Sequence, residues 1–177
     1  MPPEPRLPSW QIEPLAKHHN RAAFSCGNDA LDRYLKEIAS QDARRLVAAP
    51  FVAVGAAARK TTLGYYTLSS FSVGLSDLPH DVARKLPAYA NVPATLLGRV
   101  AVDHRHRGQG IGEFLLIDAL RRAYFQSSQI AAVAVVVDAI DEQAARFHRH
   151  FEFIPLPDRP GRLFLPMKTI AALFTRT

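Results

Sequence analysis

Three long stretches of the chain carry apolar residues at the spacing of a helix. The first covers residues 29–45, behind Asn28, whose side chain suits a helix N-cap. The second covers residues 111–126, and the third runs from 141 or 142 to 151. Apolar positions that recur every three or four residues predict amphipathic helices with one side in a core. A shorter helix is expected at 81–86.

Short apolar segments between these helices predict strands. They are residues 10–15, 51–54, 62–69, 95–102, 131–137, 153–156 and 162–167. The segment 131–137 is apolar throughout, which is typical of a buried central strand. A short turn is expected at 170–174. This order predicts an α/β (α+β) fold, with a mixed sheet of about six to seven strands and helices on both faces.

Length and composition favour a single domain. Of the 177 residues, 1–8 are rich in proline and are expected to be flexible, and 9–177 are expected to form the domain. No apolar run approaches the roughly 20 residues that span a bilayer, so no membrane association is expected. The N-terminus lacks a signal-peptide pattern, and Cys26 is the only cysteine. A cytoplasmic location is therefore predicted.

The chain is basic, and its excess positive charge is evenly spread. The net charge is +6, with 11 Lys plus Arg against 8 Asp plus Glu in both residues 1–88 and residues 89–177. The charge is therefore not a basic tail. It indicates either a face that attracts nucleic acid or a mildly cationic surface that only aids solubility.

Three alternating glycines follow the predicted strand 95–102 and precede the helix 111–126. They lie in the segment Arg107-Gly108-Gln109-Gly110-Ile111-Gly112. Glycine lets a backbone approach a ligand closely, and free amides at a helix start attract anions. The segment therefore predicts a phosphate or diphosphate site. The alternative is a tight turn that binds nothing, which is disfavoured because each glycine weakens a helix start by up to about 1 kcal/mol.

The segment Arg99–Asp103 (Arg-Val-Ala-Val-Asp) followed by this glycine segment resembles the acetyl-CoA site of the GCN5-related N-acetyltransferases (GNAT). The family pattern Arg/Gln-x-x-Gly-x-Gly/Ala is supplied by Arg107, Gly110 and Gly112. Residues 145–153 resemble a second family segment, Ala-x-x-Phe-Tyr-x-x-x-Gly-Phe. The resemblance implies a GNAT fold and acetyl-CoA as donor.

Three further segments, 24–36, 41–45 and 86–99, resemble the GNAT-type (TacT-like) toxins of bacterial toxin–antitoxin modules. That resemblance implies acetylation of the α-amino group of aminoacyl-tRNA, which blocks translation. It also implies a ribbon-helix-helix antitoxin and a possible homodimer. The alternatives are an enzyme that acetylates a small amine or a protein N-terminus, and a catalytically weak module that binds coenzyme A or a partner.

The resemblance also assigns site residues. The acetyl-CoA set is Val100, Ala101, Val102, Arg107, Gly108, Gln109, Gly110, Ile111, Gly112 and Gln143. At the strand residues only the backbone is expected to bind, and the side chains of Val100 and Val102 are expected in the core. Gln143 stands where the family usually has asparagine.

His148 occupies the position of the tyrosine that acts as the family's catalytic acid, and Glu152 replaces a family glycine. The helical spacing places His148 on the inward side, and an imidazole of ordinary pKa near about 6.5 donates protons near neutrality. The alternative is a structural histidine in an enzyme that has lost or moved its acid.

Residues 97–102 contain no carboxylate to serve as a general base. A lysine, whose amine has a pKa near about 10.4, would need one. The α-amino group of an aminoacyl ester titrates below about 8 and is largely neutral without help. This absence fits an aminoacyl-tRNA acceptor, although water relays would also serve.

Four cations on the first helix are candidate tRNA contacts: Arg33, Lys36, Arg44 and Arg45. The alternative is a solvated helix face. His18–His19 and the pair His104 and His106 lack clustered ligands in the sequence, so no metal site is expected.

Overall fold

The computed structural model describes residues 9–175. Its strands are β1 Trp10–Pro14, β2 Ala49–Gly55, β3 Thr62–Gly74, β4 Asn91–Val102, β5 Ala134–Asp138, β6 Ile154–Leu156 and β7 Arg159–Pro166. Its helices are α1 Asp29–Arg33, α2 Ala39–Arg44, α3 His80–Ala83, α4 Ile111–Gln126, α5 Glu142–His150 and α6 Met167–Phe174. The segment 1–8, predicted to be flexible, lies outside the described residues.

The strands form one seven-stranded sheet in the order β1-β2-β3-β4-β5-β7-β6. β4 and β5 are parallel, and α4 lies between them in the chain. β5 with β7, β6 with β7, and β1 with β2 are antiparallel. The predicted mixed sheet with helices is therefore confirmed. No helix within residues 9–175 has the length and apolar character needed to cross a membrane.

The chain divides into two compact units. The first comprises the described residues up to Thr67 together with Arg99–Asp118, and the second comprises Leu68–Gly98 with the described residues from Ala119 onward. The buried cluster of the first unit includes Phe24, Leu31, Tyr34, Leu35, Val52, Val54, Tyr65 and Ala101. That of the second includes Val73, Leu78, Val92, Ala134, Val136, Leu156 and Phe164.

The first predicted helix is correct in extent but not in form. Asn28 is its N-cap, since its side chain accepts a hydrogen bond from the Leu31 N–H at 3.1 Å. Between α1 and α2 the backbone widens into a π-helical turn at Tyr34–Ile38. One inserted residue per π turn shifts the side chains that follow around the helix axis, which a simple helical repeat does not reveal.

Several predicted boundaries were wrong. β3 runs to Gly74 rather than to residue 69, β4 begins at Asn91 rather than at residue 95, and β7 begins at Arg159 rather than at residue 162. The strand expected at 131–137 begins only at Ala134, which pairs with Pro166. β7 ends at Pro166 and α6 begins at Met167, so the ladder between β5 and β7 ends at Ala134. Beyond it, the Val133 carbonyl accepts from the Met167 N–H at 2.8 Å, and the Val133 N–H donates to the Pro93 carbonyl at 2.9 Å. The turn expected at 170–174 is part of the helix α6.

Candidate functional site

The glycine segment forms a loop whose backbone is open to a ligand. Gly108 and Gly110 have φ of +75° and +89°, a region that favours glycine. No heavy atom lies within 4 Å of where a Cβ would stand on either residue. A side chain there would fill space that is available to a ligand. The loop is anchored by Ile111, which is 1% exposed.

Helix α4 starts directly behind this loop. The N–H of Phe114 donates to the Gly110 carbonyl at 3.1 Å. The amides of Ile111, Gly112 and Glu113 therefore occupy the first turn, where N–H groups lack partners within the helix. Together with the positive end of the helix dipole, they favour an anion. The loop residues fit a diphosphate such as that of coenzyme A.

Arg107 points toward the segment in front of α1. Its Nη2 donates to the carbonyl of Cys26. Gly27, with φ of +85°, lies so close that a Cβ there would stand 3.2 Å from the same nitrogen. The structure therefore gives Arg107 a role in tying the loop to Cys26–Gly27, which its predicted role in coenzyme binding did not include.

At the end of β4 the buried side chain is that of Ala101, which is 6% exposed. Val100 and Val102 are only half-buried, so the expectation that both belong to the core was wrong. A Cβ on Gly64 would stand 2.8 Å from the Ala101 carbonyl, so β3 approaches β4 too closely for a larger residue. The parallel register of β4 with β5 covers Thr95–Leu97, and β4 continues to Val102.

His148 lies in α5 and is 4% exposed. Its ring packs edge-on against Phe147 and Phe153, with centroids 5.2 and 5.3 Å away. Its Nδ1 is buried without a hydrogen-bond partner. The inward placement is confirmed, but burial lowers the pKa of His148 to about 4. The expectation of an ordinary pKa was therefore wrong, and the imidazole stays neutral well below pH 7.

Both ends of α5 carry residues named by the motif. Asp141 caps its start by accepting from the Ala144 N–H at 2.8 Å, and Gln143 is exposed in the first turn. Glu152, just beyond the helix, has φ of +71°. A glycine would adopt this conformation without strain, which explains why the family pattern has glycine there.

The four predicted RNA contacts are all exposed: Arg33, Lys36, Arg44 and Arg45. Arg33 is paired with Glu37, with Nε and Oε2 2.8 Å apart. At that exposure the pair contributes little to stability, so the guanidinium can exchange partners at small cost.

The segment from α1 to α2 also carries a contact between an aromatic ring and a cation, which the sequence analysis did not predict. The Arg99 guanidinium lies 3.5 Å from the centroid of the Tyr34 ring, and the Tyr34 hydroxyl donates to Asp42 at 2.9 Å. Burial and this hydrogen bond raise the pKa of Tyr34 to about 12. No local pattern joins positions 34 and 99.

The expectation that His18 and His19 lack partners was wrong. Glu13 on β1 lies beside both, with its Oε1 2.6 Å from Nε2 of His19 and 3.5 Å from Nε2 of His18. Because the Ala16 N–H donates to Nδ1 of His19, Nε2 carries the proton and donates to Glu13. A metal ion would need a lone pair at that Nε2, so this cluster suits a hydrogen-bonded turn better than a metal.

The site residues divide between the two units. The first contains the glycine loop, residues 100–102 and the cations of α1 and α2, and the second contains Gln143 and His148. Cys26, in the first unit, is buried, and burial raises the pKa of its thiol to about 11.

Residues 12–153 match the model of the acetyltransferase (GNAT) family. A protein of Sinorhizobium fredii named "Probable toxin TacT" is 33% identical over 170 residues, which are 92% of this chain and 93% of that protein. A "tRNA-acetylating toxin" of Mycobacterium tuberculosis is 36% identical over 151 residues, 85% of this chain and 88% of that protein.

Several solved structures are also similar to this chain. A tyrosine-to-phenylalanine mutant of KacT matches with a TM-score of 0.89 at 32% identity, over 94% of this chain and 99% of that one. AtaT complexed with acetyl-methionyl-tRNAfMet matches with a TM-score of 0.87 at 30% identity, over 94% and 99%. A mutant of AtaT bound to acetyl-CoA and the C-terminus of the antitoxin AtaR matches at 0.80 and 28%, over 95% and 99%.

Proposed function

Because the chain belongs to the acetyltransferase (GNAT) family, we propose that it transfers the acetyl group of acetyl-CoA to the α-amino group of an aminoacyl-tRNA. Acetylation of that amine blocks its use in translation, so the protein acts as a toxin. The GNAT fold expected from the motifs is confirmed by the solved relatives.

The glycine loop is the observation that carries this proposal. Its two glycines at positive φ leave space for a ligand immediately before the first turn of α4. The residues proposed to hold acetyl-CoA are Val100, Ala101, Val102, Arg107, Gly108, Gln109, Gly110, Ile111, Gly112 and Gln143. The amides of the loop bind the diphosphate, and the backbone of residues 100–102 binds the chain that leads to the thioester.

Acetyl-CoA supplies an activated acyl group. In the transfer a bond forms between the amine nitrogen and the acetyl carbon, and the carbon–sulfur bond breaks. The amine loses a proton and the departing thiolate gains one. No carboxylate lies in residues 97–102, which favours an acceptor amine that is already neutral, as in an aminoacyl ester.

His148 is proposed to deliver the proton to the thiolate. Its neutral ring carries one N–H and one lone pair, so it can donate a proton on one side while it accepts one on the other. Its buried Nδ1, which has no partner, fits a polar group or water that joins when substrates bind.

Arg33, Lys36, Arg44 and Arg45 are proposed to bind tRNA phosphates. All four are exposed on the α1–α2 segment, and Arg33 gives up only an exposed ion pair. Phosphate contacts of this kind supply affinity and position rather than sequence preference.

The direct test is acetylation of a total pool of charged tRNA with isotope-labelled acetyl-CoA. Mass spectrometry of the RNase-digested product is expected to show labelled N-acetyl-aminoacyl-adenosine. Label on peptides or on small amines instead would favour an enzyme with another acceptor. Coenzyme binding without label in any pool would favour a weak module, the second candidate, which the neutral and buried His148 supports.

The toxin also needs a partner that restrains it. We infer an antitoxin of ribbon-helix-helix type and a homodimeric enzyme that acts in the cytoplasm, where charged tRNA is found. The relative AtaT in complex with the C-terminus of AtaR supports an antitoxin partner. Light scattering of the purified protein tests the dimer.

A further inference from the structure

A carboxylate that is shut off from solvent lies between β4 and the glycine loop. Asp103 is 0% exposed, and its N–H donates to the Leu63 carbonyl at 2.8 Å. Its backbone is therefore fixed to β3, and its side chain is out of reach of a ligand bound on the loop.

The Asp103 carboxylate accepts four hydrogen bonds. Oδ2 accepts from the Ser25 N–H at 3.1 Å and from Arg105 Nη2 at 3.0 Å. Oδ1 accepts from the Arg105 N–H at 2.9 Å and from Arg105 Nε at 3.0 Å. Both oxygens are thus saturated, and they connect residue 105 with residue 25, far away in the sequence.

The charge of this carboxylate is stabilised by its partners. Burial raises the pKa of Asp103, but the hydrogen bonds from Arg105 and Ser25 outweigh that effect and hold the pKa well below its usual range. Asp103 is therefore ionised at neutral pH. Removing the charge takes the acceptor away from the partly buried Ser25 N–H and from the half-exposed Arg105 side chain, and these donors then lose their partner.

Other contacts join the same two segments. The His104 N–H donates to the Ser25 carbonyl at 2.8 Å, and Arg105 Nη2 donates to the Ala23 carbonyl at 3.2 Å. Arg107 Nη2 donates to the Cys26 carbonyl. We call these contacts between residues 103–107 and 23–26 the junction. It holds the chain on the N-terminal side of Gly108.

We propose that Asp103 is a positioning residue for coenzyme binding: through the junction it fixes the entry to the glycine loop, so that the loop amides are arranged before the ligand arrives. This inference rests on the proposed function of the loop. Without the carboxylate the loop must be ordered during binding, and that ordering cost reduces affinity. The chemical step, which Asp103 does not touch, is spared.

The test is the dissociation constant of acetyl-CoA, measured by isothermal titration calorimetry on the full chain. Asp103→Asn replaces one acceptor oxygen by an NH₂ that faces donors. We expect the dissociation constant to rise about tenfold or more, while kcat at saturating acetyl-CoA stays within about twofold.

The matched control is Asp32→Asn. Asp32 Oδ1 accepts from the Cys26 N–H at 2.8 Å, so it holds the same segment without bonding to residues 103–107. Its loss is expected to lower the melting temperature but to change acetyl-CoA affinity by less than about twofold.

Should Asp103→Asn fail to fold, Arg105→Gln gives a second measurement. The Arg105 side chain is 50% exposed, and the exchange removes its fork of donors while Asp103 remains. A rise in the dissociation constant of about threefold or more supports the proposal.

The possible results distinguish the proposed function of the glycine loop from the positioning role of Asp103. If the wild-type chain does not bind acetyl-CoA, the proposed function of the loop is wrong. If the wild type binds and Asp103→Asn or a folded Arg105→Gln binds equally well, the positioning role is wrong. Loss of kcat at unchanged affinity also overturns it.

Discussion

At the scale of single residues, the burial of His148 links stability to pH. Its pKa is lowered to about 4 by burial, so between about pH 4 and 6.5 the unfolded chain holds a proton that the folded chain does not. The stabilisation of the folded state that follows from this lowered pKa is fully present above pH 6.5 and is lost as the pH falls. Between pH 7 and 5 the wild type should lose about 2 kcal/mol more than His148→Phe, measured by urea unfolding. Equal losses would contradict the pKa.

The same residue makes a prediction about turnover. His148→Phe keeps an aromatic ring but cannot carry a proton, and kcat should fall about 100-fold. His148→Tyr restores the residue of the family pattern and should retain at least wild-type kcat. Because the wild-type imidazole is already neutral, kcat should show no inflection near pH 6.5. Steady-state rates of the wild type and of both variants from pH 6 to 8 test these three expectations. An unchanged kcat in His148→Phe would show that His148 takes no part in the mechanism.

At the scale of elements, the glycine loop depends on backbone conformation. Gly110→Ala places a Cβ at φ of +89° and in the space proposed for the ligand. The KM for acetyl-CoA should rise about tenfold or more, with a smaller change in kcat. Gly161→Ala is the control, since Gly161 in β7 has open space around it and no positive φ. Equal KM values in the two variants would exclude the loop from binding.

The C-terminal end of α2 carries the second element-scale prediction. Arg44→Ala combined with Arg45→Ala should weaken tRNA binding and lower the slope of log K against log salt by about 1 to 2. Arg59→Ala combined with Lys60→Ala removes the same charge from another exposed pair and serves as the control. Filter binding at several salt concentrations measures both. Identical slopes would mean that net charge, not this helix, attracts the RNA.

Elements that follow from local pattern were predictable, and those that need a distant partner were not. The span of α4 and the cap at Asn28 depend on neighbouring residues, so the sequence alone placed them correctly. The start of β5 depends on where β7 stops, and the surroundings of Asp103 depend on Ser25. The glycine motif identified the loop. The lowered pKa of His148 arises from its burial; the helical repeat predicted its inward position but not its packing against Phe153.

At the scale of the whole molecule, the proposal predicts a growth phenotype. Expression of the chain should arrest growth, because acetylated aminoacyl-tRNA cannot be used normally in translation. Coexpression of a ribbon-helix-helix protein encoded beside it should restore growth. Gly110→Ala should relieve the arrest without the antitoxin, while Gly161→Ala should not. Arrest that persists in a strain producing a Gly110→Ala protein of normal abundance would point to a toxic effect unrelated to acetyl transfer.

The burial of Cys26 determines which assay can follow turnover. It is the only cysteine of the chain, and its thiol, with a pKa raised to about 11, is almost entirely protonated at neutral pH. Since the thiolate is the reactive form, a disulfide reagent such as Ellman's reagent should leave the folded protein untouched. Each equivalent of colour then reports one coenzyme A released. A continuous optical assay can therefore follow the wild type, and the variants that leave the surroundings of Cys26 unchanged, without a correction for protein thiol.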